Sequence, residues 1–497
     1  MKPERLFSKF HLPIASWLIL ANAFAITSCS NAPSRPGILL SRSAGSDELG
    51  KDNKNKDGPE DLGADESQDL SQIKVAAPLR KLTNTEYTNT IKDLFGEPAS
   101  LNHTFIKESS SSIFPFPNRA TEQTVPALLA NQYLAAAEKI ADTVVKTNLA
   151  SVLSCMPAKG EEECAKTFIK EMGAKAFRRP VSDEQMTLLF SIWSAGRKAA
   201  DFNKGVEWVL TAMLQMPEFL YHLESGSEPV AEGVTKLDSY DMASRLSYFI
   251  LGTMPDAALM TAAKEGKLTQ TSEIEAQAER LLKLPQAKAT VERFHIQWMG
   301  MESIETLDRD ATTFTGFSPL VASAMREEVR AFVSDVVFEG DGKIKSLFGS
   351  RYTYLNSTLG DYYGIKGLSS KFEKIEESRL GGRPAAGLLT MGGVLALRAS
   401  RFATSPTIRG AFVRSSILCQ PLPAPPPDAV FMLPEQKANQ TRRQLVEMHA
   451  SSQACVGCHR LMDPIGLGLE GFDAGGRHRS QENGQKIDVS VDVEPIG

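Results

Sequence analysis

Leu82-Thr83-Asn84-Thr85-Glu86-Tyr87-Thr88-Asn89-Thr90-Ile91-Lys92-Asp93-Leu94-Phe95-Gly96 opens the periodic part of the chain. Its large apolar residues fall at Tyr87, Ile91, Leu94 and Phe95, the spacing of one helical face and not the alternation of a strand. The same period continues, predicting helices over 125–148, 163–177, 183–200, 205–223, 238–251, 272–284, 286–300, 318–338 and 405–418. Several carry start signals: Ser182 stands three residues before Gln185, Asp238 precedes a periodic run, and Pro126 and Pro406 sit where a first turn tolerates proline. Strand signals are few, chiefly Tyr352-Thr353-Tyr354-Leu355 and the tail Ile487-Asp488-Val489-Ser490-Val491. No repeat of solenoid period is present. The fold class expected is mainly α, a multi-domain helical body with few strands and a small cysteine-bearing segment near the C-terminus.

Composition agrees with a globular protein of several domains: 497 residues, 42% hydrophobic and 23% charged. With 55 Lys and Arg against 60 Asp and Glu, no surface for neutralising phosphates is expected, and nucleic acid is excluded as a partner class. Residues 1–28 have a basic start and an apolar stretch from Leu12 to Ile26, an export signal too short to span a bilayer as a helix. Ile26-Thr27-Ser28-Cys29 resembles a bacterial lipobox, which makes Cys29 the lipidation site and the membrane a partner through a lipid anchor only. Residues 29–74 lack aromatics and are acidic from Ser46 to Asp69, so they read as a disordered tether. The expected location is the bacterial envelope, at the outer membrane on its periplasmic or surface side. Beyond the tether, the helical body divides into segments at 75–150, 151–230, 231–366 and 367–497.

The chain has six cysteines. Cys155 and Cys164 flank a Pro- and Gly-containing turn between two expected helices, and export permits a disulfide there. Cys455-Val456-Gly457-Cys458-His459 has the C-x-x-C-H spacing of covalent haem attachment. Two thiols three residues apart can form thioethers with the two vinyl groups, while His459 supplies the proximal iron ligand. Chance yields such a match about once in a thousand chains of this composition. Alternatives are a zinc site completed by Cys419, His449 or His478, a thioredoxin-like redox pair, and a plain disulfide. Pro464 is expected to end the haem-bearing turn, and Gly466 and Gly468 would let backbone approach a flat macrocycle. Met462 lies too near His459 in sequence to reach the far face of the iron. Better candidates for the distal position are His449, Met432, Met448 and His478, while Arg477 and Arg479 could pair with propionates.

Several stretches together resemble the planctomycete cytochrome c multidomain proteins, whose PSD and PSCyt domains have no settled activity. Leu82–Tyr87 with Leu94-Phe95-Gly96 is similar to the first domain, and Phe177-Arg178-Arg179-Pro180-Val181 with Met216–Tyr221 to the second. Asp241–Phe249 with Met254-Pro255-Asp256, Leu355-Asn356 and Tyr363-Gly364 is similar to the third. The cytochrome domain is matched by Gly387-Leu388-Leu389, Thr404-Ser405-Pro406-x-x-Arg409-Gly410, Pro423–Pro427 and His449-x5-Cys455-x-x-Cys458-His459-x-x-Met462-Asp463-Pro464, with Phe472-Asp473 following. Such proteins usually continue into a further helical domain, so a shortened C-terminal end is expected here.

The resemblance implies an exported lipoprotein with one covalent haem c, passing single electrons to an envelope redox partner. Two other classes remain open. One is a peroxidase- or oxidase-like haem enzyme with an open sixth position, for which Arg293 and His295 are distal candidates. The other is a surface interaction or polysaccharide-associated protein in which C-x-x-C-H is structural, since the helical body is far larger than one haem needs. No phosphate loop, nucleophile elbow or H-E-x-x-H motif points to a conventional hydrolase.

Overall fold

The structure, a computed structural model, describes residues 78–493 except 101–102, 109–114, 225, 227, 232–233, 421, 423–434 and 452. The leader, Cys29 and the acidic tether therefore lie outside the described residues. What is described is mainly α, as the periodicity predicts, and nearly all of it belongs to one compact unit of 77–228 and 235–497.

The longer helices, in chain order, are α1 (Asn84–Phe95), α2 (Ala127–Thr147), α3 (Glu161–Ala176), α4 (Asp183–Ala199), α5 (Phe202–Met213), α6 (Ser239–Ile250) and α7 (Ala257–Lys264). They continue with α8 (Thr271–Leu282), α9 (Pro285–Trp298), α10 (Pro319–Ser334), α11 (Ser357–Tyr363), α12 (Pro406–Phe412), α13 (Arg442–Ala450) and α14 (Gln453–Leu467). Their starts follow local chemistry. Thr83, Ser182 and Thr441 form full capping boxes with Glu86, Gln185 and Gln444, and Asp238 caps α6 by accepting from the Asp241 N–H. Tyr87 and Ile91 of the opening stretch are fully buried, so the apolar face of α1 is the one that packs.

Short antiparallel pairs supply the strands. β1 (Arg80–Lys81) pairs with β2 (Tyr221–His222), β3 (Tyr352–Leu355) with β4 (Glu373–Glu376), and β5 (Gln481–Glu482) with β6 (Gln485–Lys486). The pairing of β1 with β2 closes the first 140 or so residues of the body into one unit, and its core runs from Leu82 through α5 to Leu220 with Tyr248. A second core gathers residues from Ile296 to Val394, and a third, smaller one gathers α6 to α9.

Three expectations are corrected. The helix expected over 205–223 stops at Met213, because Pro217 cannot continue an upstream ladder and instead starts a separate turn, Pro217–Leu220. The tail Ile487–Val491 is not a strand: the Asn483-Gly484 turn pairs Gln481–Glu482 with Gln485–Lys486, and the Asp488 and Ser490 carbonyls accept from Arg443 instead. Pro464 does not end its helix, which runs on to Leu467. Proline deletes a single ladder bond, and the turn beyond it is held by burial of Gly466 and Leu467 against neighbouring structure.

Candidate functional site

α14 carries the whole C-x-x-C-H sequence. On a continuous helix Cys455, Cys458 and His459 stand at i, i+3 and i+4, so both thiols and the imidazole share one face. Cys455 and Cys458 are free and half-buried. His459 Nδ1 lies 2.7 Å from Asp463 Oδ2, one helical turn on, and the other oxygen of Asp463 accepts from the Thr407 hydroxyl at 2.7 Å. An ionised carboxylate only accepts, so the Nδ1 of His459 is the donor. In the neutral ring this leaves the lone pair on Nε2, the tautomer a metal ligand needs, with a carboxylate as its outer partner.

α14 is seated on α12, and the seat is built from two glycines. A Cβ on Gly410 would fall inside the Met462 carbonyl, and one on Gly466 inside the Pro406 carbonyl, so only glycine allows the two backbones to touch. Beneath this contact Arg409 is completely buried. It donates to the carbonyls of Leu469, Phe472 and Asp473, each at 2.9 Å, and pairs with Glu470 at 3.3 Å. Glu470 also holds Arg479 at 3.1 Å and accepts from Thr404 at 2.7 Å. Burial lowers the Arg409 guanidinium to about 10 and raises the Glu470 carboxyl, the latter opposed by its two arginines. Apart from the Arg409 Nε, which has no partner, this network is hydrogen-bonded throughout; it fixes the loop after α14 against the helix before it, and so holds the orientation of His459 indirectly.

A groove of about 340 Å³ runs along α13 and α14, with His459, Asp463, Arg443, Glu447, Arg460 and Val491 among its walls. On the other side of α13, His449 lies against His459 with ring centroids 5.3 Å apart and planes at 72°.

The remaining sequence candidates are scattered. Met432 lies outside the described residues. Met448 is exposed, and His478 packs on Phe472 across an isolated bridge. Met462 presents its backbone to α12. Arg477 is engaged with Asp473 and the carbonyls of Thr313 and Thr315, and Arg479 with Glu470 and Glu482. His295 is buried in α9, its Nδ1 bonded to the Val291 carbonyl of its own helix, and Arg293 packs under Gly252. Cys419 is exposed in a left-handed backbone position. Cys155 and Cys164 are joined in a disulfide with Cα atoms 5.4 Å apart.

Reading the sequence did not identify Asp463, Thr407 or Arg409 as supporting residues. For Asp463 the signal was present: it stands four residues after His459, an i, i+4 pair, but that relation exists only if the helix continues past Pro464. Thr407 and Arg409 come from a segment about fifty residues away; Arg409 stands in the Thr404–Gly410 stretch that carries the family resemblance, but nothing local points to its contacts, and nothing marks Thr407.

The donor set fits a c-type haem: two free thiols, an imidazole of defined tautomer and a carboxylate behind it. It does not complete a zinc site, since no group of three or more His, Cys, Asp or Glu side chains able to hold a metal ion exists among the described residues.

Four family models match the chain. They are PSD3 over residues 80–146, PSD5 over 164–224, PSD4 over 237–365 and PSCyt3 over 385–482, each described as a protein of unknown function (DUF1587, DUF1595, DUF1592 and DUF1588 respectively). No curated protein and no solved structure matches it. With the PSCyt3 match enclosing α12 to α14 and the other three lying in order before it, the chain belongs to the planctomycete cytochrome c domain families.

Proposed function

We propose that the protein is an exported, lipid-anchored electron carrier with one haem c bound covalently to Cys455 and Cys458 and ligated by His459. The observation that carries this reading is the single helix face shared by both thiols and an imidazole whose Nδ1 is held by Asp463. The haem would supply a one-electron couple; the chain's own residues hold and tune it. Cys455 and Cys458 anchor it, Asp463 and Thr407 keep His459 in one tautomer and rotamer, and the Arg409–Glu470 network keeps the loop after α14 from shifting. The donor or acceptor would be a redox protein of the envelope, with Cys29 as the lipid attachment point and the acidic tether as spacer.

The test is expression of the full chain in an exporting host with and without a cytochrome c maturation system, followed by intact mass and visible spectra before and after dithionite. A mass increase of one haem, with sharp reduced bands only when maturation is present, is the expected result. A chain that remains colourless with a working maturation system overturns it. For the anchor, Cys29→Ala should release the protein from the membrane fraction, and retention there would overturn lipidation.

A further inference from the structure

We propose that His449 is the sixth ligand, so that the iron site is closed by two histidines and serves electron transfer and not the binding of oxygen, peroxide or another small ligand. The proposal rests on the reading that Cys455, Cys458 and His459 carry haem.

α13 runs from Arg442 to Ala450 and the chain turns at once into α14. On α13, Leu445 is fully buried, and His449, one turn later on the same face, continues that stripe toward α14. Arg443, Glu447 and Ala450 lie on the opposite side of α13 and line the open groove, to which His449 does not contribute. His449 is half-buried on the face away from that groove, and what it meets is the ring of His459.

Two imidazoles that ligate one metal from opposite sides stand with ring centroids about 6 Å apart, given metal–nitrogen distances of about 2 Å. The observed 5.3 Å falls short of that by less than 1 Å, so the two rings would part by that much to take a metal between them. The angle of 72° between the planes is no obstacle, because rotation about the ligand–metal axis is unconstrained by the bonds themselves. His449 makes no hydrogen bond among the described residues, so ligation would cost it no existing partner.

The other candidates lack this placement. Met448 is one position further round the helix and 53% exposed, and His478 is spent on Phe472. A half-buried His449 with both nitrogens unused, six residues before Cys455 and against the ring of His459, is the arrangement that separates a carrier from an open-site enzyme.

The experiment uses the haem-loaded full chain and carbon monoxide as probe. Reduced wild-type protein is expected to show a low-spin spectrum unchanged by carbon monoxide. His449→Ala should become high-spin and take up carbon monoxide on reduction, and added imidazole should restore the low-spin spectrum. His449→Met, which keeps a ligand at the same place, should stay six-coordinate with a methionine–iron charge-transfer band in the oxidised form. Ready carbon monoxide binding by the wild type overturns the proposal even if neither variant folds, as does an unchanged low-spin spectrum in His449→Ala. Failure to incorporate haem at all would be seen first, in the mass, and would overturn the underlying reading instead.

Discussion

At the scale of single residues, Asp463 is the side chain whose role is most sharply defined by its neighbours. It is buried, it receives a hydroxyl from Thr407, and its second oxygen faces His459. A charged acceptor pushes more electron density into the imidazole than a neutral one, which favours the oxidised iron. Charged and neutral hydrogen bonds differ by about 1 kcal/mol, equivalent to about 40 mV for a one-electron couple. Asp463→Asn is therefore expected to raise the reduction potential by about that amount, measured by spectroelectrochemical titration of the haem-loaded protein. A potential that does not move, or falls, would show that Asp463 only holds the helix.

At the scale of elements, the contact between α12 and α14 governs whether His459 is presented at all. Glycines at 410 and 466 allow backbone to rest on backbone, and no rotamer change can relieve a side chain added there. Gly410→Ala should cost about 3 kcal/mol, the upper end for overpacking, because the atom it strikes is the Met462 carbonyl and not a flexible chain end. Urea denaturation followed by far-ultraviolet circular dichroism measures this. A loss under about 0.5 kcal/mol, the range of ordinary surface substitutions, would mean that the helices part easily and that the seat is looser than drawn. The caps that start α4 and α6, Ser182 and Asp238, were legible in the sequence, since each is written in adjacent residues, whereas α13 with its Thr441 cap was not among the expected helices. The continuation of α14 through Pro464 was not, because what overrides the proline is tertiary packing.

At the scale of the molecule, buried charges tie the family segments together. Arg178, in a left-handed backbone position rare for a side chain of its size, donates to the carbonyls of Glu218, Phe219 and Tyr221 and to the Tyr248 hydroxyl of α6. Glu328 of α10 accepts from Thr353 and Tyr363 with Arg383 close by, and Arg383 donates in turn to the Thr390 and Gly476 carbonyls, so the network joins the 237–365 segment to the 385–482 segment. Burial holds the Glu328 carboxyl above its usual 4.5, an effect that Arg383 opposes without cancelling. The folded chain thus keeps a proton that the unfolded chain releases. Stability from this group is full below about 4.5 and is lost as pH rises through the folded value. Glu328→Gln removes that slope, so the stability of the variant relative to wild type should increase between pH 4.5 and pH 7.5, read from urea midpoints at each pH. A constant difference across that range would contradict the linkage.

Near neighbours in the chain account for the helical class, most helix starts, the pairing segment Tyr352–Leu355 and the C-x-x-C-H spacing of Cys455, Cys458 and His459, since period, caps and a five-residue motif are all local. Which distant groups support that motif depends on packing alone. The Thr407 hydroxyl behind Asp463, the Arg409–Glu470 pair under α14 and the ring of His449 against His459 are brought together by packing. Packing responds to the fit of whole surfaces, and no short-range pattern records it.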